Sequence, residues 1–222
     1  MRKIALVDLD DTLFDVKKFK TEYLTFLRGL GSGFEWVPLK IMAETYEKAK
    51  AKGYFDADAH CALLDEYIAS ETGVLGKTKF WLEKWLASEK KMLESLVFLD
   101  INPLFRIFEH LGYEIYILTL GTSWFQVAKI EGSGLMEYAN GYVVTQDCTK
   151  KDAIMSMCNP TKDDIVLFDD SKKVIDAVKT SFPRIMAIQV LREDNPTKVS
   201  SNADAIARNL VEATGALLSR PQ

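Results

Sequence analysis

Four groups of polar residues interrupt otherwise apolar stretches of this sequence, and together they could serve one reaction. Asp8, Asp10, Asp11 and Thr12 end the run KIALVDL at 3–9. Thr119, Gly121, Thr122 and Ser123 end EIYILTL at 114–120. Asp147, Thr149, Lys150 and Lys151 follow GYVVT at 141–145, and Asp169, Asp170 and Ser171 close DIVLFDD at 164–170. Carboxylates gathered in one place repel one another unless a cation sits between them, and an all-oxygen set suits Mg2+ better than zinc. A carboxylate that attacks phosphorus forms an aspartyl-phosphate. Attack by one anion on another needs neutralising charge, which a divalent cation and a lysine supply. A second carboxylate two residues on can protonate the departing alcohol and then activate the water that cleaves the intermediate.

These groups act together only if the chain brings them to one place. The apolar runs are short and rich in β-formers, which predicts strands at 3–9, 114–120, 141–145, 164–170 and 184–191. Helical stretches alternate with them: NPLFRIFEHLG closed by Gly112, SWFQVAKIEGSG, KKDAIMSMC with Thr149 as N-cap, SKKVIDAVKTSF and a last helix ADAIARNLVEATGALL. The alternation predicts an α/β fold, a Rossmann-like three-layer core with a parallel sheet covered by helices on both faces. Ligands of such sheets bind outside the carboxyl ends of the strands. All four polar groups lie at those ends.

Between the first strand and the second the texture changes. Phe19, Tyr23, Phe26, Leu27 and Leu30 recur at helical spacing, as do Leu63, Leu64, Tyr67 and Ile68, then Trp81, Leu82, Trp85 and Leu86. Glycines at 29–33, 53 and 73–76 separate these helices. The expected organisation is a core of residues 1–15 and 96–222 with a helical cap, 16–95, inserted after the first strand.

Four motifs carry a resemblance. VDLDDTLFD (7–15) resembles the first motif of the haloacid dehalogenase-like (HAD) superfamily, D-x-D-x-T-L. ILTLGTSW (117–124), KKDAI (150–154) and VLFDDS (166–171) resemble its second, third and fourth motifs, in order and on the expected elements. The resemblance covers residues 1–15 and 96–218 and implies a role for each residue. Asp8 would be nucleophile and metal ligand. Asp10 would be general acid and base and would offer its backbone carbonyl to the metal. Thr119 would hydrogen-bond the transferring phosphoryl group, with a backbone N–H at Leu120, where the family often has Asn. Lys151 or Lys150 would neutralise phosphate, and the helix face of Ile154 and Met157 favours Lys151. Asp170 would hold the metal, Mg2+, with Asp169 beside it. Asp176 and Val174 compete for the acidic position that often follows the fourth motif. The insert resembles the helical type 1 cap, which closes over substrate.

The implied activity is Mg2+-dependent phosphatase action on a small phosphorylated metabolite: a nucleotide, sugar or organic-acid phosphate. A phosphomutase of the same superfamily is the alternative, and a non-catalytic phosphate- or metal-binding protein a third. Haloacid dehalogenases of the superfamily lack the second aspartate and the metal, so Asp10 and the Asp169–Asp170 pair argue against that chemistry.

Composition bounds the remaining classes. A net charge of −4 gives no electrostatic reason to bind a nucleic-acid backbone. Cys61, Cys148 and Cys158 form no C-x-x-C pair and read as free thiols. No stretch approaches a membrane span, and the basic start breaks at Asp8, unlike a signal peptide, so a cytoplasmic setting is expected. His60, Trp81 and Trp85 read as packed side chains of the insert. Trp124 reads equally as pocket border or core. Gly29, Gly31 and Gly33 read as an interhelical turn, Lys17, Lys18 and Lys20 as a solvated face, and Asp11 and Asp15 as structural.

Overall fold

The protein is described by a computed structural model over residues 1–29, 37–146 and 149–219. By packing, the chain divides into two compact units: 1–15, 97–119 and 134–222 form one, and 16–96 with 120–133 the other. Gly31, Gly33, Asp147 and Cys148, singled out in the sequence, lie outside the described residues.

The first unit is built on a parallel sheet of six strands: β1 (Lys3–Val7), β2 (Glu114–Leu120), β3 (Gly141–Thr145), β4 (Asp164–Asp169), β5 (Met186–Val190) and β6 (Ala205–Ala207), in the order β3-β2-β1-β4-β5-β6. Both faces of the central strands are covered, which is why their sequences are apolar throughout. Ile4, Leu6, Ile165 and Leu167 point to one face. There they pack with Ile154 of α8 (Lys150–Met157) and with Ile175 and Val178 of α9 (Lys172–Ser181). Ala5, Val7, Val166 and Phe168 alternate with them and are equally buried. Phe168 meets Phe108 of α6 (Ile101–Leu111) edge-on at 5.4 Å, and α10 (Leu210–Leu218) packs on α6. The chain turns back at β1. It runs outward through β2 to β3, then crosses to β4 on the other side, so the topological switch point lies between β1 and β4.

One element differs from the sequence reading. The stretch 203–218 is not a single helix: Ala205–Ala207 pairs in parallel with β5, Ile188 opposite Ala205, and α10 starts only at Leu210. Asn209 caps that helix, its side chain accepting the Glu212 N–H at 2.8 Å. Alanine-rich composition favours a helix, but pairing to an open sheet edge decides the local state.

The second unit consists of α1 (Val16–Gly29), α2 (Leu39–Lys48), α3 (Ala57–Thr72), α4 (Thr78–Ser88), α5 (Lys90–Ser95) and α7 (Ser123–Gly132). Its centre is aromatic. Tyr23 lies within 6.4 Å of the rings of Phe19, Tyr46, Phe55, Trp85 and Phe125. His60 is completely buried among them, held by the Tyr23 hydroxyl at 2.5 Å and Thr45 Oγ1 at 3.1 Å. Trp81, expected in this core, is instead about half exposed. The sequence boundaries put 120–133 with the sheet; in the structure its packing is with the helices. Ala57 N–H donates to Thr122 Oγ1 (2.8 Å), Trp124 Nε1 donates to Asp58 (3.0 Å), and a side chain at Gly132 would collide with Leu93. Among the described residues no helix is long and apolar enough to cross a membrane.

Candidate active site

The first candidate group sits where β1 runs out. Asp8 N–H still bonds to the Phe168 carbonyl (2.8 Å), so its Cα is fixed by the sheet although its side chain leaves it. The chain then turns tightly. The Leu9 carbonyl accepts N–H groups of Leu13 and Phe14, each at 2.9 Å, and Asp10 bridges to Phe14. Asp11 takes φ = 58°, a left-handed conformation rare outside glycine.

Neighbouring β4 ends in Asp169 and Asp170. Asp169 is fully buried; its Oδ1 accepts the Ser171 N–H at 2.9 Å and its Oδ2 accepts Lys150 Nζ at 2.7 Å. Lys150 also donates to Asp8 Oδ1. It opens α8, and Thr149 before it forms a capping box with Asp152, which sets where the helix begins. One oxygen each of Asp8, Asp169 and Asp170 lie within 4.8 Å of one another, close enough to share an ion. The Asp10 carboxylate is not part of that set.

The candidates therefore divide. Asp8, Lys150, Asp169 and Asp170 are brought together. The sequence favoured Lys151, but in the structure Lys150 is the lysine that bonds to the carboxylates, and Lys151 is half-buried. At the end of β2, Thr119 is buried and its Oγ1 has no hydrogen-bond partner among the described residues. An orphaned buried hydroxyl costs stability unless a ligand meets it. Leu120 groups with the helical unit, where its carbonyl accepts Gln126 Nε2 at 3.0 Å. Asp176 is turned to other partners: it accepts Ser200 Oγ (2.5 Å) and Asn202 Nδ2 (2.8 Å).

Charge is unbalanced at this point, with three carboxylates against one ammonium. Burial pushes the Asp8 carboxyl up, Lys150 opposes this, and Asp169 and Asp170 add to it; the net shift is well upward. Burial, then Asp169 and Asp11, push Asp170 up to about 7. Burial alone would lower Lys150, but Asp169 and Asp8 outweigh it, so the ammonium is held more firmly than usual. A cluster that resists holding its own negative charge is one that a divalent cation would relieve. The donors are all oxygen, which fits Mg2+.

One residue of the site was missed in the sequence. Gln189 on β5 is fully buried; its Nε2 donates to the carbonyls of Asp170 (2.9 Å) and Lys198 (2.8 Å), and its Oε1 accepts the Ser200 N–H (2.8 Å). It fixes the backbone of Asp170. The available signal was a lone amide inside the apolar run RIMAIQVL.

The sheet order, the switch point and the strand-end carboxylates give this chain the fold of the HAD-like hydrolases. No protein-family model matches the sequence, and no curated protein matches it. Solved structures do. A haloacid dehalogenase-like hydrolase from Burkholderia xenovorans is similar at a TM-score of 0.73 and 18% identity, covering 100% of both chains. A HAD phosphatase from Thermococcus onnurineus is similar at 0.64 and 18% identity over 97% of both. L-2-haloacid dehalogenase from Xanthobacter autotrophicus is similar at 0.63 and 13% identity over 100% of both. The fold thus hosts both phosphate and halide chemistry, and the choice rests on side chains.

Proposed function

We propose that this protein is a HAD-superfamily, Mg2+-dependent phosphatase that hydrolyses a small phosphomonoester through an aspartyl-phosphate on Asp8. The observation that carries this reading is the Lys150-linked Asp8–Asp169 pair with Asp170 within reach of a shared ion. Asp10 and Asp170 favour it over dehalogenation, which in this superfamily dispenses with both the second aspartate and the metal.

In the first step an Asp8 carboxylate oxygen attacks phosphorus, the ester P–O bond breaks, and the leaving oxygen takes the proton of the Asp10 carboxyl. In the second, Asp10 removes a proton from water, whose oxygen attacks phosphorus. The bond to Asp8 breaks, releasing phosphate and restoring both groups. Lys150 opposes the burial that favours the protonated Asp8 carboxyl and offsets the phosphoryl charge, and Thr119 Oγ1 donates to a phosphoryl oxygen. Asp8 and Asp170, with Asp169 beside them and the Asp10 backbone carbonyl, would hold Mg2+, which supplies further charge neutralisation. The helical unit is assigned the cap role, selecting the organic part of the substrate and limiting water. Nucleotide, sugar and organic-acid phosphates are the substrate classes to test.

The test is phosphate release from a panel of such esters, with Mg2+ and with EDTA. Turnover that needs the metal supports the reading. Chloride release from 2-chloropropionate without phosphate release would replace it with dehalogenation.

A further inference from the structure

The turn that follows Asp8 and carries Asp10 has Asp11 in the left-handed region, and a side chain outside the acidic cluster bonds to it. Asp11, in the left-handed region, lies directly between Asp10 and Thr12. Such a conformation persists only when its surroundings over-determine it. Within the turn the Asp11 N–H donates to the Phe14 carbonyl at 2.9 Å, and from outside the turn a side chain grips the neighbouring Thr12 carbonyl. Arg192, just past β5, donates to it from Nη2 at 2.7 Å and Nε at 3.2 Å. The rest of the guanidinium fork is spent on Asp100, with Nη1 and Nη2 each 3.0 Å from a different carboxylate oxygen. The same carboxylate accepts the Leu210 N–H at 2.7 Å. The guanidinium lies 3.6 Å from the centroid of the Phe98 ring, and Phe98 N–H bonds back to the Leu13 carbonyl at 3.0 Å. Arg192 and Asp100 are mostly buried, so the pair is shielded from solvent screening.

We propose that Arg192 is a positioning residue for Asp10, acting through the Thr12 carbonyl, with Asp100 as the group that aims it. Arg192 touches none of the reacting atoms. The inference rests on the phosphatase reading for the role of Asp10, but its structural half does not. The planar fork of arginine serves both the carbonyl and the carboxylate at once; lysine, with one point charge, serves them poorly. A displaced Asp10 delivers its proton late. Esters with a poor leaving group then suffer most, because those with a good one depart without much protonation.

The experiment compares Arg192→Lys, Arg192→Met and Asp100→Asn with the wild type in the full-length protein, using p-nitrophenyl phosphate and glycerol phosphate. For Arg192→Met the expected loss in kcat is roughly tenfold to hundredfold on the alkyl ester, smaller on the aryl ester, with KM little changed. Arg192→Lys should fall between. Hydrogen exchange of the 9–15 segment is read in parallel and needs no turnover; it should speed up in Arg192→Met and Asp100→Asn while β4 stays protected. Wild-type exchange at 9–15 in folded variants overturns the proposal. So does an equal kcat loss on both esters. If the wild type releases phosphate at no measurable rate from these esters or from any ester of the panel, the phosphatase reading is what fails, and the exchange result still decides whether Arg192 holds the turn.

Discussion

Lys150 Nζ stands 2.7 Å from Asp169 Oδ2 and donates also to Asp8 Oδ1, so one ammonium joins the ends of two adjacent strands. Lys150 and both carboxylates are almost wholly buried, with side-chain exposures of 5%, 7% and 0%. A buried charge without its partner is costly, so the three groups depend on one another. The arrangement fixes the proposed nucleophile and its counter-charge on rigid elements, since Asp8 is held by the sheet and Lys150 by a capped helix start.

Lys150→Met should therefore lower phosphate release by about a hundredfold or more, whereas Lys151→Met should change it less than about threefold. Steady-state rates of both variants at saturating Mg2+ check this. Equal losses would remove the distinction that the geometry draws between the two lysines.

Thr119→Val separates function from stability. The Thr119 hydroxyl has no hydrogen-bond partner among the described residues, so replacing it with a methyl of similar shape should shift the unfolding free energy by less than about 1 kcal/mol. Turnover should nevertheless fall by about tenfold or more, because the proposed donor to the phosphoryl group is gone. A variant that melts far earlier, or that turns over normally, would contradict the assignment.

Gln189→Glu keeps an acceptor for the Ser200 N–H but removes the donor to the Asp170 carbonyl. Partners that orient metal ligands typically matter by about 10- to 100-fold in affinity. Titration with Mn2+ should show binding weakened by at least about tenfold; wild-type affinity in a folded variant would show that Asp170 needs no such support.

The helical unit should be acid-sensitive through His60, whose imidazole burial pushes down to about 4 from its ordinary 6.5. A group with a depressed cationic pKa favours the fold in its neutral form. Its contribution is complete above about pH 6.5 and is lost as pH falls toward about 4, with an upper bound of about 3 kcal/mol. Melts of wild type and His60→Gln across this window should show the variant less stable at pH 7 but flatter toward acid. Parallel curves would exclude His60 as the titrating group.

Much of this could be read from the sequence because strand ends are punctuated by charge. Asp8 and the Asp169–Asp170 pair stop apolar runs abruptly, and parallel pairing of β1 with β4 puts those ends side by side. The choice between Lys150 and Lys151 could not be read the same way. It depends on the helix phase at its first residue, which the Thr149–Asp152 capping box sets. Gln189 was hidden because one amide in an apolar strand looks like a defect until its three partners are seen. The strand at Ala205–Ala207 was hidden because three residues, two of them alanine, carry almost no periodicity. Arg192 lay in no motif; its meaning comes entirely from contacts with residues 92 and 180 positions away.

The most direct test of the central claim is acid-quenched turnover of a phosphate-labelled ester by the wild type and by Asp8→Asn, followed by mapping of the labelled peptide. The account predicts Mg2+-dependent release, label on the peptide that contains Asp8, and neither in the variant. Substantial turnover by Asp8→Asn, or label on any other peptide, would contradict it.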